Sequence, residues 1–193
     1  VVVTGIPGVG KTTVLRGLER VAEGAGLKLK IVTFSTVMLN IAKSEGKTFE
    51  RDGLRKLPIS KQRDLQRRAA VEIAGMVQGN ETLIVDTHMV VRTGVGYWSG
   101  LPQNVLDELK PNLLVLLEAD PREVLQRRAG DNSRSRDRVA IDEIVDEMSV
   151  ARSIAASCAT FTGAPFKVIK NPTGRKMEVA EELLKAIIEI RRG

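Results

Sequence analysis

The chain has 193 residues, 42% of them apolar, 28% charged and only 3% aromatic, which predicts a single domain with an aliphatic core. No apolar run approaches the ~20 residues of a membrane-spanning helix, and the single cysteine, Cys158, excludes an internal disulfide and a cysteine-rich metal site. A net charge of +6, from 30 Lys and Arg against 24 Asp and Glu, leaves two uses for the basic excess: nucleic acid or a small polyanion.

The opening Val1-Val2-Val3 has neither an initiating Met nor a charged-then-apolar signal, and reads as a cytoplasmic chain that lacks a few leading residues. From there short apolar runs alternate with helical patterns, the signature of βαβ units around a mostly parallel sheet. Val1–Thr4 is the first predicted strand. It runs into Gly5-Ile6-Pro7-Gly8-Val9-Gly10-Lys11-Thr12, a full match to G-x-x-x-x-G-K-[ST], and then into a helix with the stripe Val14, Leu15, Leu18, Val21, Ala22 that Gly24 and Gly26 stop.

That strand–loop–helix context gives the motif its chemistry. Glycines let consecutive backbone N–H groups turn inward around phosphates, where side chains would collide. The helix N-terminus favours an anion. Lys11 can reach the β and γ phosphates, the Thr12 hydroxyl can hold Mg²⁺, and Thr13 closes the ATP-binding stretch 5–13.

A second strand is predicted at Leu29–Phe34. Arg51-Asp52-Gly53-Leu54-Arg55-Lys56 then falls in a loop between two helices, the later of which carries Leu65, Ala69, Ile73, Met76 and Val77 from a Ser60 N-cap to Gly79-Asn80. The strand Thr82–Asp86 ends in Asp86, placed to act on Mg²⁺ through a water, and His88, the only histidine, follows it. Ligands of α/β sheets bind beyond such strand ends. Gly94–Pro102 reads as a glycine-rich loop that puts Tyr97 beside Trp98.

Leu113–Glu118 is the fourth strand. Asp120-Pro121 is an N-cap followed by proline and starts a short helix to about Arg128. Glu118 and Asp120 read as structural carboxylates, Asp120 already having a capping role. Gly130-Asp131-Asn132-Ser133 separates Arg127-Arg128 from Arg134-Ser135-Arg136-Asp137-Arg138 and has the composition of a flap over bound phosphate. Ile141, Ile144, Val145, Met148 and Ala151 open a helix to Ala159 with Cys158 in its core face. The strand Phe166–Ile169 and the helix stripe Val179, Leu183, Ile187, Ile190 complete the pattern.

Planar guanidiniums grip phosphate oxygens in pairs, so two arginine groups beside a P-loop point to a second phosphorylated substrate. Lys61, Arg63, Arg67 and Arg68 on one helix would suit nucleic acid instead, but no helix-turn-helix cue or aromatic interleaving accompanies them. A guanine-reading Asn-Lys-x-Asp string is absent, which argues against a GTPase.

Taken together, the sequence resembles the archaeal adenylate kinases. The likeness runs through Gly5–Thr12, Phe34–Leu39, Arg51–Leu57, Val85-Asp86-Thr87-His88 with Arg92-Thr93, Gly96-Tyr97 to Gly100-Leu101-Pro102, and Arg134-Ser135-Arg136-Asp137. Ser35-Thr36 stands where that family usually has Gly followed by Asp or Thr, and Gly53-Leu54 replaces an acidic–Met pair. The resemblance implies ATP + AMP giving two ADP with Mg²⁺, and a three-layer α/β P-loop fold with a five-stranded parallel sheet. One domain would span residues 1–193, with an AMP-binding arm at about 35–78 and a lid at about 128–139. Arg55 would hold the AMP phosphate, Thr36 would lie by its base, and His88 and Arg92 would line the space between the nucleotides. Arg128, Arg136 and Arg138, with Arg152, would clamp from the lid side, and Asn171-Pro172-Thr173 would border the adenine. A homotrimer, a zinc-free lid and no nucleic-acid or membrane partner are further expectations. A P-loop kinase of a different small acceptor, such as a pyrimidine monophosphate, is the nearest alternative.

Overall fold

The computed structural model describes residues 1–46, 51–54 (the first two by backbone alone), 56–77, 79–130 and 140–192. Its strands are β1 (Val2–Thr4), β2 (Leu29–Thr33), β3 (Thr82–Asp86), β4 (Val90–Thr93), β5 (Gly96–Ser99), β6 (Leu114–Glu118) and β7 (Phe166–Lys170). Its helices are α1 (Lys11–Gly24), α2 (Phe34–Ser44), α3 (Arg51–Leu54), α4 (Ile59–Ala74), α5 (Gln103–Leu109), α6 (Pro121–Ala129), α7 (Ile141–Thr162) and α8 (Lys176–Arg192).

Five strands form one parallel sheet in the order β2-β3-β1-β6-β7. All five residues of β6 are buried, as are all of β1, so the sheet centre is covered on both faces. One cover is the α1–α8 pair; the other is the succession α4 on α5 on α7. In register, Val2 lies between Val85 and Leu114, and Val3 opposite Asp86. The C-terminal ends of β1, β3 and β6 therefore come together, which places the P-loop at the middle of that edge.

Several expectations shift. The second strand stops at Thr33, and Phe34 opens α2. Phe34 is buried because Phe34, Val37, Met38, Ile41 and Ala42 recur at helical spacing and pack into the core. Ser60 is not the cap of α4: Pro58 is, its carbonyl accepting from the amides of Lys61 and Gln62 at 2.9 and 3.1 Å. That helix ends at Ala74, leaving Met76 and Val77 outside it.

Gly94–Pro102 is not a plain loop. Val90–Thr93 pairs antiparallel with Gly96–Ser99 as a hairpin turning through Gly94-Val95, with Arg92 opposite Tyr97 and Val91 opposite Trp98. Gly96, just past the turn, has a φ of 121° that favours glycine, and Pro102 is the N-cap of α5. The N-cap at Asp120 is as expected: its Oδ1 accepts from the Arg122 amide at 2.8 Å. Helix α7 runs three residues past Ala159, to Thr162, with Cys158 buried.

Candidate active site

The phosphate cradle is best understood from its carbonyls. For successive amides to face inward, the loop's C=O groups must turn outward, and a buried carbonyl needs a donor. Lys11 Nζ donates to Gly5 O at 3.3 Å, and Arg128 Nε donates to Pro7 O at 2.9 Å. Val9 O accepts twice, from Asn171 Nδ2 at 2.8 Å and from Arg127 Nη1 at 3.3 Å. Carbonyls 7 and 9 are thus held by side chains of α6 and of the segment after β7, and carbonyl 5 by the loop's own Lys11.

Glycine is required here by conformation and by space. Gly8 and Gly10 have φ of 91° and 89°. A Cβ on Gly10 would stand 2.5 Å from Asn171 Nδ2, and one on Gly5 would stand 2.5 Å from Leu117 O. Gly10 is also the N-cap of α1, yet no side chain caps the helix and no acidic residue lies in its first turn. A helix start with no side-chain cap and no acidic residue suits an anionic ligand. Lys11 is buried at this helix start, while Thr12 and Thr13 are exposed.

A second network ties α6 to the segment after β7. Arg127 Nη2 donates to Asn171 O at 3.2 Å, Thr173 Oγ1 at 3.0 Å and Glu123 Oε2 at 2.8 Å. The Glu123 carboxylate in turn accepts from the Thr173 amide. Arg128 makes a nearly buried ion pair, Nη2 to Glu147 Oε2 at 2.8 Å. Arg152, whose side chain is largely exposed, grips buried Glu118 with two hydrogen bonds, Nε to Oε1 being 2.9 Å. With Glu118 so held and Asp120 capping α6, both carboxylates have structural partners.

Asp86 ends β3 across from Val3 and Thr33, one strand from the P-loop. His88, half-buried, follows it. The backbone of Gly100 packs directly on the His88 carbonyl, so closely that a Cβ at Gly100 would lie 1.8 Å from that oxygen. Arg92 is exposed on β4, and both its terminal nitrogens bond Glu143 on α7. These bonds hold the Glu143 carboxyl below the usual carboxylate range. Thr36 is exposed in the first turn of α2.

The structure therefore brings Lys11, Thr12, Asp86 and Arg128 around one strand-end edge, with His88 beside it. It turns Arg92 and Arg152 onto carboxylates of Glu143 and Glu118. Arg55, Arg134, Arg136, Arg138 and the flap residues Asp131, Asn132 and Ser133 lie outside the described residues. Sequence reading overlooked Glu123 and Glu147, and gave Arg127 no role of its own. The Arg127–Glu123 spacing of four on one helix was a visible signal; Glu147 had none beyond its place in an apolar stripe.

Among the described residues, no three His, Cys, Asp or Glu side chains gather into a metal cage. What is present is oxygen-only, Thr12 and Asp86. That donor set suits a magnesium ion carried by phosphates and water rather than one enclosed by protein.

A family model described as an AAA domain matches residues 4–145. Among curated proteins, the chain is 45% identical over 172 residues to the adenylate kinase of Methanoculleus marisnigri, covering 89% of this chain and 88% of that one. It is 43% identical to the adenylate kinase of Methanopyrus kandleri over 188 residues, 97% and 96% of the two chains. The adenylate kinase of Thermoplasma acidophilum is 41% identical over 186 residues, 96% of this chain and 97% of that one. Among solved structures, a shikimate kinase from Acinetobacter baumannii in complex with shikimate superposes with a TM-score of 0.59 at 20% identity, covering 97% of this chain and 92% of that one. That last likeness concerns fold alone.

Proposed function

This chain belongs to the archaeal adenylate kinase family, and on that premise we propose how its residues divide the reversible transfer of a phosphoryl group between ATP and AMP. The triphosphate lies in the cradle formed by Gly5, Ile6, Pro7, Gly8, Val9 and Gly10, its oxygens facing the loop amides and the uncapped start of α1. Lys11 moves from the Gly5 carbonyl to the β and γ phosphates, and Thr13 follows at the rim. The single observation that carries this reading is the bracing of carbonyls 7 and 9 by Arg128, Asn171 and Arg127, because it leaves the inner face of the loop to donors.

Thr12 and, through water, Asp86 hold Mg²⁺. When bound, the ion neutralises charge on the β and γ oxygens. Arg128 approaches from α6, and Arg136 and Arg138 complete the clamp from the lid. The interval from Arg128 to Arg138 has no Cys or His, so the lid works without zinc. The adenine of ATP rests against Asn171-Pro172-Thr173, which the Arg127–Glu123 network stiffens.

AMP occupies the arm side, its phosphate on Arg55, its base by Thr36, with His88 between the nucleotides. Arg92 takes part by exchanging Glu143 for a phosphate oxygen. No general base is demanded, since the attacking atom is already a phosphate oxygen. Positioning and charge neutralisation supply the catalysis.

The test is ADP formation from ATP with AMP, UMP and CMP in turn, on wild type and Arg55→Ala. AMP should be the preferred acceptor, and Arg55→Ala should weaken AMP while leaving ATP within a few-fold. A faster rate with UMP or CMP would refute the acceptor assignment. We place the enzyme in the cytoplasm as a homotrimer. Supporting the latter, Val95 is 91% exposed at the hairpin tip with Tyr97 beside it, and aromatics are enriched in buried interfaces. Sedimentation equilibrium giving about the 21.1 kDa of one chain would refute it.

A further inference from the structure

Helix α7 turns a stripe toward the core: Ile144, Glu147, Ala151, Ala155 and Cys158, spaced by three and four. Four of these are apolar or small, as a buried face requires. Glu147 is the exception, with 3% exposure. A buried ion pair is costly to desolvate, and apolar residues in place of both partners often do at least as well for stability. A local rule broken at a core position marks a site kept for something other than packing.

What Glu147 holds is Arg128, and Arg128 touches two successive residues of the cradle. Its Nη2 donates to Glu147 Oε2 at 2.8 Å while its Nε donates to Pro7 O at 2.9 Å. Its stem lies along Gly8, where a Cβ would come within 3.1 Å of Arg128 Cγ. A guanidinium is planar, so fixing two of its nitrogens fixes the plane. With the carboxylate gone, a neutral carbonyl alone would hold a long, rotamer-rich side chain, and that carbonyl would lose its fixed donor.

We propose that Glu147 is a positioning residue for phosphoryl transfer: through Arg128 it keeps the Pro7 carbonyl turned outward, and so keeps the Pro7-Gly8 part of the cradle shaped for the phosphates of ATP. The inference rests on the reading that the P-loop binds ATP. It assigns Glu147 no contact with substrate. Its effect should fall mainly on the triphosphate side, because among the described residues its side-chain hydrogen bond is to Arg128 of α6, while it reaches Arg92 of β4 by charge alone.

The experiment compares wild type, Glu147→Gln, Glu147→Met, Arg128→Met and the double variant Glu147→Gln/Arg128→Met. Equilibrium affinities for ATP and for AMP are measured separately, with thermal unfolding alongside. Glu147→Gln should bind ATP roughly 10-fold more weakly, as for loss of a charge-assisted hydrogen bond, with AMP affinity within twofold of wild type. Glu147→Met leaves the nearly buried Arg128 without its ion-pair partner, so its Tm should fall, while its loss of affinity should again fall on ATP and not on AMP. In the double variant the glutamine should add less than twofold to the effect of Arg128→Met, since both act on one element. Equal weakening of ATP and AMP, or ATP affinity within twofold of wild type in both Glu147 variants, would overturn the proposal. Lys11→Ala, run in parallel, separates the two failures. If it too leaves kcat/KM for ATP untouched, the P-loop reading has failed; if it loses activity while the Glu147 variants do not, only the positioning role has.

Discussion

Gly10→Ala puts a number on the bracing of the cradle. Gly10 sits at φ 89°, ψ 22°, a left-handed conformation that costs an L-residue roughly 1–2 kcal/mol. The added methyl would also stand 2.5 Å from Asn171 Nδ2, so that amide must leave Val9 O. Loss of this hydrogen bond, whose donor residue is 5% exposed, costs about another 1–2 kcal/mol. The sum, about 2–4 kcal/mol, corresponds to a fall in Tm of about 5–15 °C for a chain of this size. Gly174→Ala is the matched control: its φ is 86°, but nothing lies within 4 Å of the new methyl. It should show the backbone cost alone, about 2–8 °C. Differential scanning calorimetry of both variants, with kcat/KM for ATP, makes the comparison. Gly10→Ala should be the less stable of the two and should lose activity, whereas Gly174→Ala should not. Equal Tm values for the two would show that Asn171 is not fixed against the loop, and the reasoning would fall.

Lys11→Ala should fold yet lose at least ~10²-fold in kcat/KM, equivalent to more than ~2.7 kcal/mol of transition-state stabilisation; a folded variant of near-normal activity would remove Lys11 from the site. The Cys158 thiol is pushed up by burial, so iodoacetamide at neutral pH should label the unfolded chain but not the native one, and rapid native labelling would contradict its packing. Because hydrogen bonds from Arg92 lower the Glu143 carboxyl in the folded state, the pair's stabilisation is present above the unfolded carboxylate value of about 4.3 and disappears as pH falls through the lower folded value. The Tm difference between wild type and Glu143→Gln should therefore be seen at pH 7, shrink in acid and shrink with added salt; a difference that grows in acid would reverse the assignment.

The P-loop was legible because its signal is local: eight contiguous residues, with the strand and helix that present them on either side. Asp120-Pro121 was legible for the same reason, cap and first turn being adjacent in the chain. Helix α2 was obscured because Phe34 continues the apolar run of β2, and only the later spacing of Val37, Met38 and Ile41 separates helix from strand. The β4–β5 hairpin was hidden by its own turn: Gly94 and Gly96 read as loop composition, although Val90–Thr93 and Gly96–Ser99 supply the two paired edges. The ion pairs of the site between different elements could not be read at all. Arg128 and Glu147 are 19 residues apart, and Arg152 and Glu118 are 34 apart, so their partnership is decided by how α7 crosses α6 and β6, not by any neighbour in sequence.

The pairing of α1 with α8 has a bearing on how the chain comes off the ribosome. Strand β1 and the P-loop are among the first segments made, but β1 takes its sheet partners from residues 82–86 and 114–118. Gly17 of α1 lies so near Ala180 of α8 that a Cβ there would stand 3.1 Å from the alanine methyl. The helix that starts the cradle therefore has no docking surface on that side until residues beyond 176 have emerged. At the usual 5–20 residues per second, roughly ten seconds or more separate the two. Until residues 82–118 have emerged β1 is an unpaired strand, and until those beyond 176 follow the helix behind it keeps an uncovered apolar face. Chaperone engagement or nonspecific association during synthesis should concentrate on residues 1–24, and a stall placed shortly before residue 176 should prolong it.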